Sequence, residues 1–183
     1  MLYPKSEVIE KLQSLGKSYR VFGIGSGKIS TNIPTELKIL DPEYYDPLYI
    51  KRYGELVAYA NQGTYPPALK RSDVEIIRDA TVSSELKFRR NRLLDLLSVK
   101  YLYGKHSDLS TDASGTYAPL SSRDPANRRG VAILYQSSGY SEPIWQSSSY
   151  NIVKRLQVLP HAYVVHQYVV KNSDQELLTS LFD

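Results

Sequence analysis

Between Asn91 and Gly104 the chain reads N-R-L-L-D-L-L-S-V-K-Y-L-Y-G, and the period of its apolar positions changes within a residue or two. Leu93, Leu94, Leu96 and Leu97 recur at helical spacing and close an amphipathic helix predicted from Ser84 to Leu97. Val99 to Tyr103 is β-branched and aromatic, the composition of a strand. A switch from period 3.6 to period 2 over so few residues predicts a helix delivered straight into a central strand, with the helix packed on the sheet face.

The rest of the chain alternates the same two periods. Ser6 is placed to cap a helix carrying Val8, Ile9, Leu12 and Leu15 on one face, with Gly16 as its stop. Tyr19 to Ile24 reads as a strand. Asp46-Pro47 predicts a second helix, Asp as cap and Pro in the first turn, with Tyr49, Tyr53, Leu56, Val57 and Ala60 along one side. The run Gln62 to Ala68 ends it, and Ser72 with Glu75 forms a capping-box pair opening a short helical or helix–strand segment. Ser107 to Asn127 is rich in Ser, Thr, Asp and Gly, and predicts a long, mobile excursion loop. Val131 to Tyr135 reads as a short strand, and Gln136 to Ser149 as a polar stretch holding the sole tryptophan, Trp145. Asn151 to Leu156 and Ala162 to Val170 read as the last two strands. Ser173 and Glu176 then cap a helix with Leu177, Leu178, Leu181 and Phe182 on its face. Helix-period and strand-period segments in alternation predict a single α/β (mixed α+β) domain over residues 1–183, a central mixed sheet with helices packed on it. An apolar helix face that runs to the final residues leads to the expectation of a fragment of a larger protein.

Composition narrows the chemistry. The hydrophobic share of 42% and charged share of 23% are those of a globular domain, and 183 residues suffice for a full core. No run approaches the roughly 18 apolar residues of a membrane span, and the opening M-L-Y-P-K-S-E has no apolar signal region. Without cysteine there are no disulfides and no thiolate metal sites. Net charge is +4, with Lys87, Arg89, Arg90 and Arg92 clustered. A nucleic-acid partner is one reading of that cluster, but a solvated helix face explains it without one, and no nucleic-acid partner is expected.

Gly23-Ile24-Gly25-Ser26-Gly27-Lys28 invites a phosphate loop, but the spacing refuses it: Phe22 stands at the first glycine position and Ile29 follows the lysine. A turn leaving a strand is the remaining reading. His161 and His166, five apart on the predicted strand, point to opposite faces and share no metal. No metal site and no cofactor is expected. There is no G-x-S-x-G elbow. Asp41, Glu43 and Asp46 place three carboxylates close together, a candidate for acid–base work, although a helix cap is the plainer role for Asp46. Sixteen tyrosines against three phenylalanines favour half-wet aromatic surfaces. Tyr45, Tyr49 and Tyr53 share a predicted helix stripe, which reads first as a core face, with Tyr44 and Tyr45 the pair more available to stack on a sugar.

Four segments in order resemble the YfhO family of bacterial multi-pass membrane proteins. They are the opening Y-P-K-S-E-V-I-E-K-L, then D-P-E-Y-Y-D-P-L-Y-I-K-R-Y from Asp41, R-L-L-D-L-L-S-V-K-Y-L from Arg92 and L-P-H-A-Y-V-V from Leu159. The chain departs from the family pattern at Tyr45 and Ser98, where glycine is usual, and at His161, where arginine is usual. The resemblance implies a protein similar to lipid-linked-sugar glycosyltransferases, located in the cell membrane, with its catalytic carboxylate in a loop outside this chain. On that implication the chain is an extracytoplasmic accessory domain serving cell-envelope glycan or glycolipid modification, not catalytic by itself. Its partners would be the membrane-embedded remainder of the same polypeptide and a glycan or lipid-linked sugar. The candidate binding residues are Tyr44, Tyr45, Asp46, Lys51 and Arg52, with the Arg52 guanidinium able to grip a phosphate or carboxylate in two-pronged fashion. The alternative is a free-standing carbohydrate-binding or scaffold module.

Overall fold

The computed structural model describes residues 6–45, 50–66, 69, 73–76, 83–106, 109–111, 117–119, 140–156 and 158–182. In chain order its elements are α1 (Glu7–Leu15), β1 (Arg20–Gly23), a 3-10 turn (Gly25–Gly27), α2 (Ile33–Glu36), β2 (Tyr44–Tyr45), α3 (Lys51–Gln62), β3 (Asp73–Val74), α4 (Ser84–Leu96), β4 (Val99–Lys105), β5 (Leu109–Thr111), β6 (Tyr117–Pro119), β7 (Tyr140–Gln146), β8 (Tyr150–Arg155) and α5 (Asp174–Phe182). The main sheet has the order β1-β4-β8-β7, parallel at β1/β4 and antiparallel elsewhere. The fold is thus the mixed α/β domain that the alternating periods predict, and β4 is one of the two inner strands of its sheet.

The helix-to-strand switch is built as expected. Ser83 caps α4, accepting from the Leu86 N–H. At the other end Ser98 takes the left-handed conformation, φ 55, and returns its N–H to the Asp95 carbonyl, the usual device for stopping a helix. The bulge in β4 was not legible from period 2. Arg20 pairs with Val99 but Val21 with Tyr101, so Lys100 is an extra residue. The bulge resets the alternation. Val99 and Leu102 face a core formed with Val57 and Ala60 of α3, Leu93 and Leu94 of α4, and Leu178 and Phe182 of α5. Tyr101 and Tyr103 face a second core with Leu12 of α1, Val21, Ile39 and Ile152. Helices therefore cover both faces of the sheet.

Arg155, at the end of β8, is wholly buried at this junction. It donates to the Val99 carbonyl at 3.1 Å and to Asp95 Oδ1 at 2.6 Å. Burial pushes the Asp95 carboxyl above the ordinary carboxylate range even beside that cation. Removing one partner of a buried pair costs about 3–5 kcal/mol, so this contact locks β8 to the α4–β4 joint.

Several expectations are corrected. Ala162 to Val170 joins no ladder and lies exposed outside the sheet. The fourth strand is instead β7, inside the stretch read as polar. β7 reaches β8 through a tight hairpin, the cheaper closure, while on the far side the Val21 N–H of β1 is taken by the Leu40 carbonyl. Pro143 in β7 is tolerated because it is an edge strand. Helix α3 begins at Lys51, with Ile50 at its cap in extended conformation, so Asp46 does not cap it. Asp73–Val74 pairs with Tyr44–Tyr45 as a strand rather than opening a helix. Two short strands, β5 and β6, pair within the predicted excursion loop. Most of that loop, the strand expected at 131–135, and Asp46, Tyr49 and Ser72 lie outside the described residues.

Candidate functional site

Of the residues singled out from sequence, Tyr44 and Tyr45 form β2, and Lys51 and Arg52 lie in the first turn of α3. Strand alternation splits the tyrosine pair. Tyr44 stacks on Tyr53, centroids 5.5 Å apart, and packs against the core. Tyr45 is turned outward, 52% exposed. Its backbone is clamped by Asn32, whose side-chain amide donates to the Tyr45 carbonyl (2.6 Å) and accepts its N–H (2.8 Å) as a neighbouring strand would. Tyr53 donates its hydroxyl to the Pro42 carbonyl at 2.6 Å, and burial lifts its phenol well above the ordinary tyrosine value.

On α3, Lys51 is 80% exposed and reaches the buried Glu55 carboxylate at 3.4 Å. Tyr65 also donates to Glu55, at 2.9 Å. Arg52 pairs with Asp174 in the first turn of α5, and that hydrogen-bonded carboxylate raises the guanidinium above its ordinary pKa. The pair joins two helices on the surface. The Arg52 side chain is still 67% exposed, whereas Tyr44 is committed to packing. Of the five candidates, then, Tyr45, Lys51 and Arg52 are accessible, Tyr44 is structural, and Asp46 lies outside the described residues.

The other motifs are absorbed by the fold. Lys28, after the glycine-rich turn, bridges Glu43 at 2.8 Å and Glu75 at 2.9 Å, while Glu43 also accepts the Ile76 N–H. Asp41 accepts the Glu43 N–H. Of the three clustered carboxylates, Glu43 is therefore a clip between loops and Asp41 braces its own turn. Gly27 is required by approach: a Cβ there would lie 2.6 Å from the Lys105 nitrogen.

The basic cluster on α4 is only in part the solvated face expected of it: Arg92 is exposed, whereas Arg89 and Arg90 are turned inward. Arg90 is buried and donates to the Asn61 carbonyl in the last turn of α3. Arg92 donates to Leu181 near the end of α5, and Arg89 pairs with Glu85 while lying over the Tyr59 ring. Guanidinium groups at helix C-termini satisfy the last carbonyls and the dipole together. Gly63 ends α3 with φ 76, and the Arg89 head fills the space a Cβ would need.

Sequence reasoning missed a cavity of about 530 Å³ between the start of α1 and the β7–β8 turn. Val8, Ile9, Leu12 and Ile29 line it with Tyr103, and the turn residues Ser147, Ser148 and Ser149 rim it with Tyr150, Ser6 and Glu7. The turn is held from two sides. Ser147 donates its N–H to the Tyr150 carbonyl at 2.9 Å, and His106 donates its N–H to Ser149 and its Nε2 proton to the Ser147 carbonyl. The run of three serines was the available signal, but without the hairpin it read as generic polarity. No group of three or more His, Asp or Glu placed to hold a metal ion occurs among the described residues, and no described helix is long and apolar enough to cross a membrane. No family model matches the chain, and no curated protein or solved structure shows significant similarity to it.

Proposed function

We propose that the chain is an extracytoplasmic accessory domain of a membrane protein that transfers lipid-linked sugars in cell-envelope glycan or glycolipid modification, the domain itself not being catalytic. The observation that carries this reading is the segment Tyr163 to Val170. Its Tyr163, Val164, Val165, Tyr168, Val169 and Val170 are between 56% and 84% exposed, two apolar runs either side of His166 and Gln167 that form a strip of the kind that marks an interaction surface. In this reading the remainder of the same polypeptide covers it. The motif resemblance supplies the membrane setting. Support for a non-catalytic role comes from how the acidic groups are spent: Glu43 on Lys28, Glu55 on Tyr65, Asp95 on Arg155 and Asp174 on Arg52.

An antibody raised against the purified chain tests this in cells that carry the gene. The expected antigen sediments with membranes, is much larger than 20.8 kDa, and is digested when protease is added to intact spheroplasts. The purified chain, given polyprenyl-phosphate sugars and acceptors, should neither transfer nor hydrolyse them. A soluble antigen of the chain's own size, or turnover abolished by one acidic-to-amide substitution, would overturn the proposal.

A further inference from the structure

We infer that the cavity between α1 and the β7–β8 turn binds a neutral sugar unit. Its volume of about 530 Å³ lies within the range of roughly 300–1,000 Å³ typical of small-molecule sites. Its floor is apolar, from Val8 and Ile9 to Ile29 and the buried ring of Tyr103, a surface suited to the C–H face of a pyranose. Its rim is hydroxylic. Ser6 Oγ accepts the Ile9 N–H, and Ser147 Oγ accepts the N–H groups of Ser149 and Tyr150. Each of these hydroxyls spends acceptor capacity on backbone and keeps its O–H to donate. Glu7 at the rim supplies acceptors. A ligand with alternating O–H donors and acceptors over an apolar face meets all three features.

Charge weighs against the main competitor. Among the described lining residues there is no lysine or arginine, so a phosphate entering beside the Glu7 carboxylate would lose its water and gain only the N-terminal amides of α1 in return. The site therefore takes the sugar part of a glycan and leaves any carrier phosphate outside. The hydrogen bonds of His106 and Ser147 hold the rim in place before a ligand arrives, which lowers the ordering cost of binding. The choice of a sugar over another neutral polar molecule rests on the glycan reading above, whereas the cavity and its chemistry do not.

Titration of the ¹⁵N-labelled chain with glucose, galactose, N-acetylglucosamine and inorganic phosphate tests the site through amide shifts. Saturable shifts centred on residues 6–9 and 147–150 are expected with at least one sugar, in the millimolar range usual for single units, and none with phosphate. Val8→Phe, which fills the cavity, should weaken that sugar about tenfold or more while amides elsewhere keep their wild-type shifts. Ser148→Ala, which leaves the floor intact, should weaken it less and serves if Val8→Phe misfolds. Absence of shifts with all three sugars, shifts located elsewhere, shifts that survive Val8→Phe, or phosphate binding in the cavity would each overturn the inference. The membrane fractionation stands or falls independently, so failure here is distinguishable from failure of the accessory-domain reading.

Discussion

At Ser98 the chain passes from α4 to β4 with φ 55, a left-handed conformation that costs a residue bearing a Cβ about 1–2 kcal/mol. Glycine there loses more chain entropy on folding but carries no such strain. Ser98→Gly is expected to stabilise the chain by about 0.5–1 kcal/mol, raising the melting temperature by about 1–4 °C. A lower melting temperature would mean that the buried serine hydroxyl matters more than the backbone. Tyr53 makes a second residue-scale test. Its hydroxyl is bonded to the Pro42 carbonyl, so Tyr53→Phe should cost about 0.5–1.5 kcal/mol near neutral pH. Its phenol pKa is raised in the fold by burial, which outweighs the nearby Arg20 guanidinium. The wild-type phenol's contribution is thus whole below the unfolded value of about 10. Above it the unfolded chain loses the proton and the folded chain keeps it, so that contribution declines with rising pH. Urea unfolding should show the stabilities of wild type and Tyr53→Phe converging above pH 10, and a widening gap would refute the assignment.

Among the elements, the apolar strip at 163–170 is the one that departs most from its sequence signature. Its richness in Val and Tyr is a strand feature, yet the segment pairs with nothing among the described residues, and β8 is already flanked by β4 and β7. If the strip exists for an external surface, the chain's own stability should not depend on it. Val164→Ser combined with Val169→Ser is expected to change stability by no more than about 0.5 kcal/mol and to reduce self-association in light scattering. A loss of several degrees in melting temperature would instead place these valines in the chain's own packing. The opposite displacement occurs on α4, where Arg90, read as solvent-facing, is drawn in to close the end of α3, while Arg92 reaches the end of α5 from the surface.

For the molecule as a whole, the sheet is the shared wall of two apolar clusters. Adjacent residues serve opposite sides: Leu102 and Val153 one cluster, Tyr103 and Ile152 the other. Neither side can open without exposing the other, and Arg155 ties the last strand to the first core's helix–strand joint. The sheet and its helices should therefore unfold in one cooperative transition. Far-ultraviolet dichroism, which follows the helices, and Trp145 fluorescence, which reports the α1 side, should give coincident urea curves. Separate midpoints would show that the two faces are independently stable. The same two-sided arrangement leaves the cavity by α1 and the exposed strip as distinct features, one for a small ligand and one for a broad surface.

What the sequence determined by itself was governed by near neighbours, though not every local signal held: Asp46 does not cap α3, and Asp73–Val74 forms a strand where a capping box was read. The Ser6 cap and Gly16 stop of α1, the α4–β4 junction, the refusal of a phosphate loop at Gly23 to Lys28, and α5 could be read because capping, periodicity and motif spacing act within a few residues. What only the tertiary structure decided was pairing and the fate of charge. Whether β7 or residues 162–170 would flank β8 depends on loop closure and on which sheet edges are already taken, not on strand propensity. Whether Arg90 faces water or the end of α3, and whether Lys28 grips a phosphate or two carboxylates, depends on groups brought in from distant parts of the chain. Burial turns a polar side chain from solvent contact into an obligatory hydrogen-bonding partner, and that obligation was set by the fold. For the site, Tyr45, Lys51 and Arg52 were legible as exposed polar candidates. The cavity was not, because its walls are separated by over a hundred residues and meet only when α1 is laid against the turn between β7 and β8.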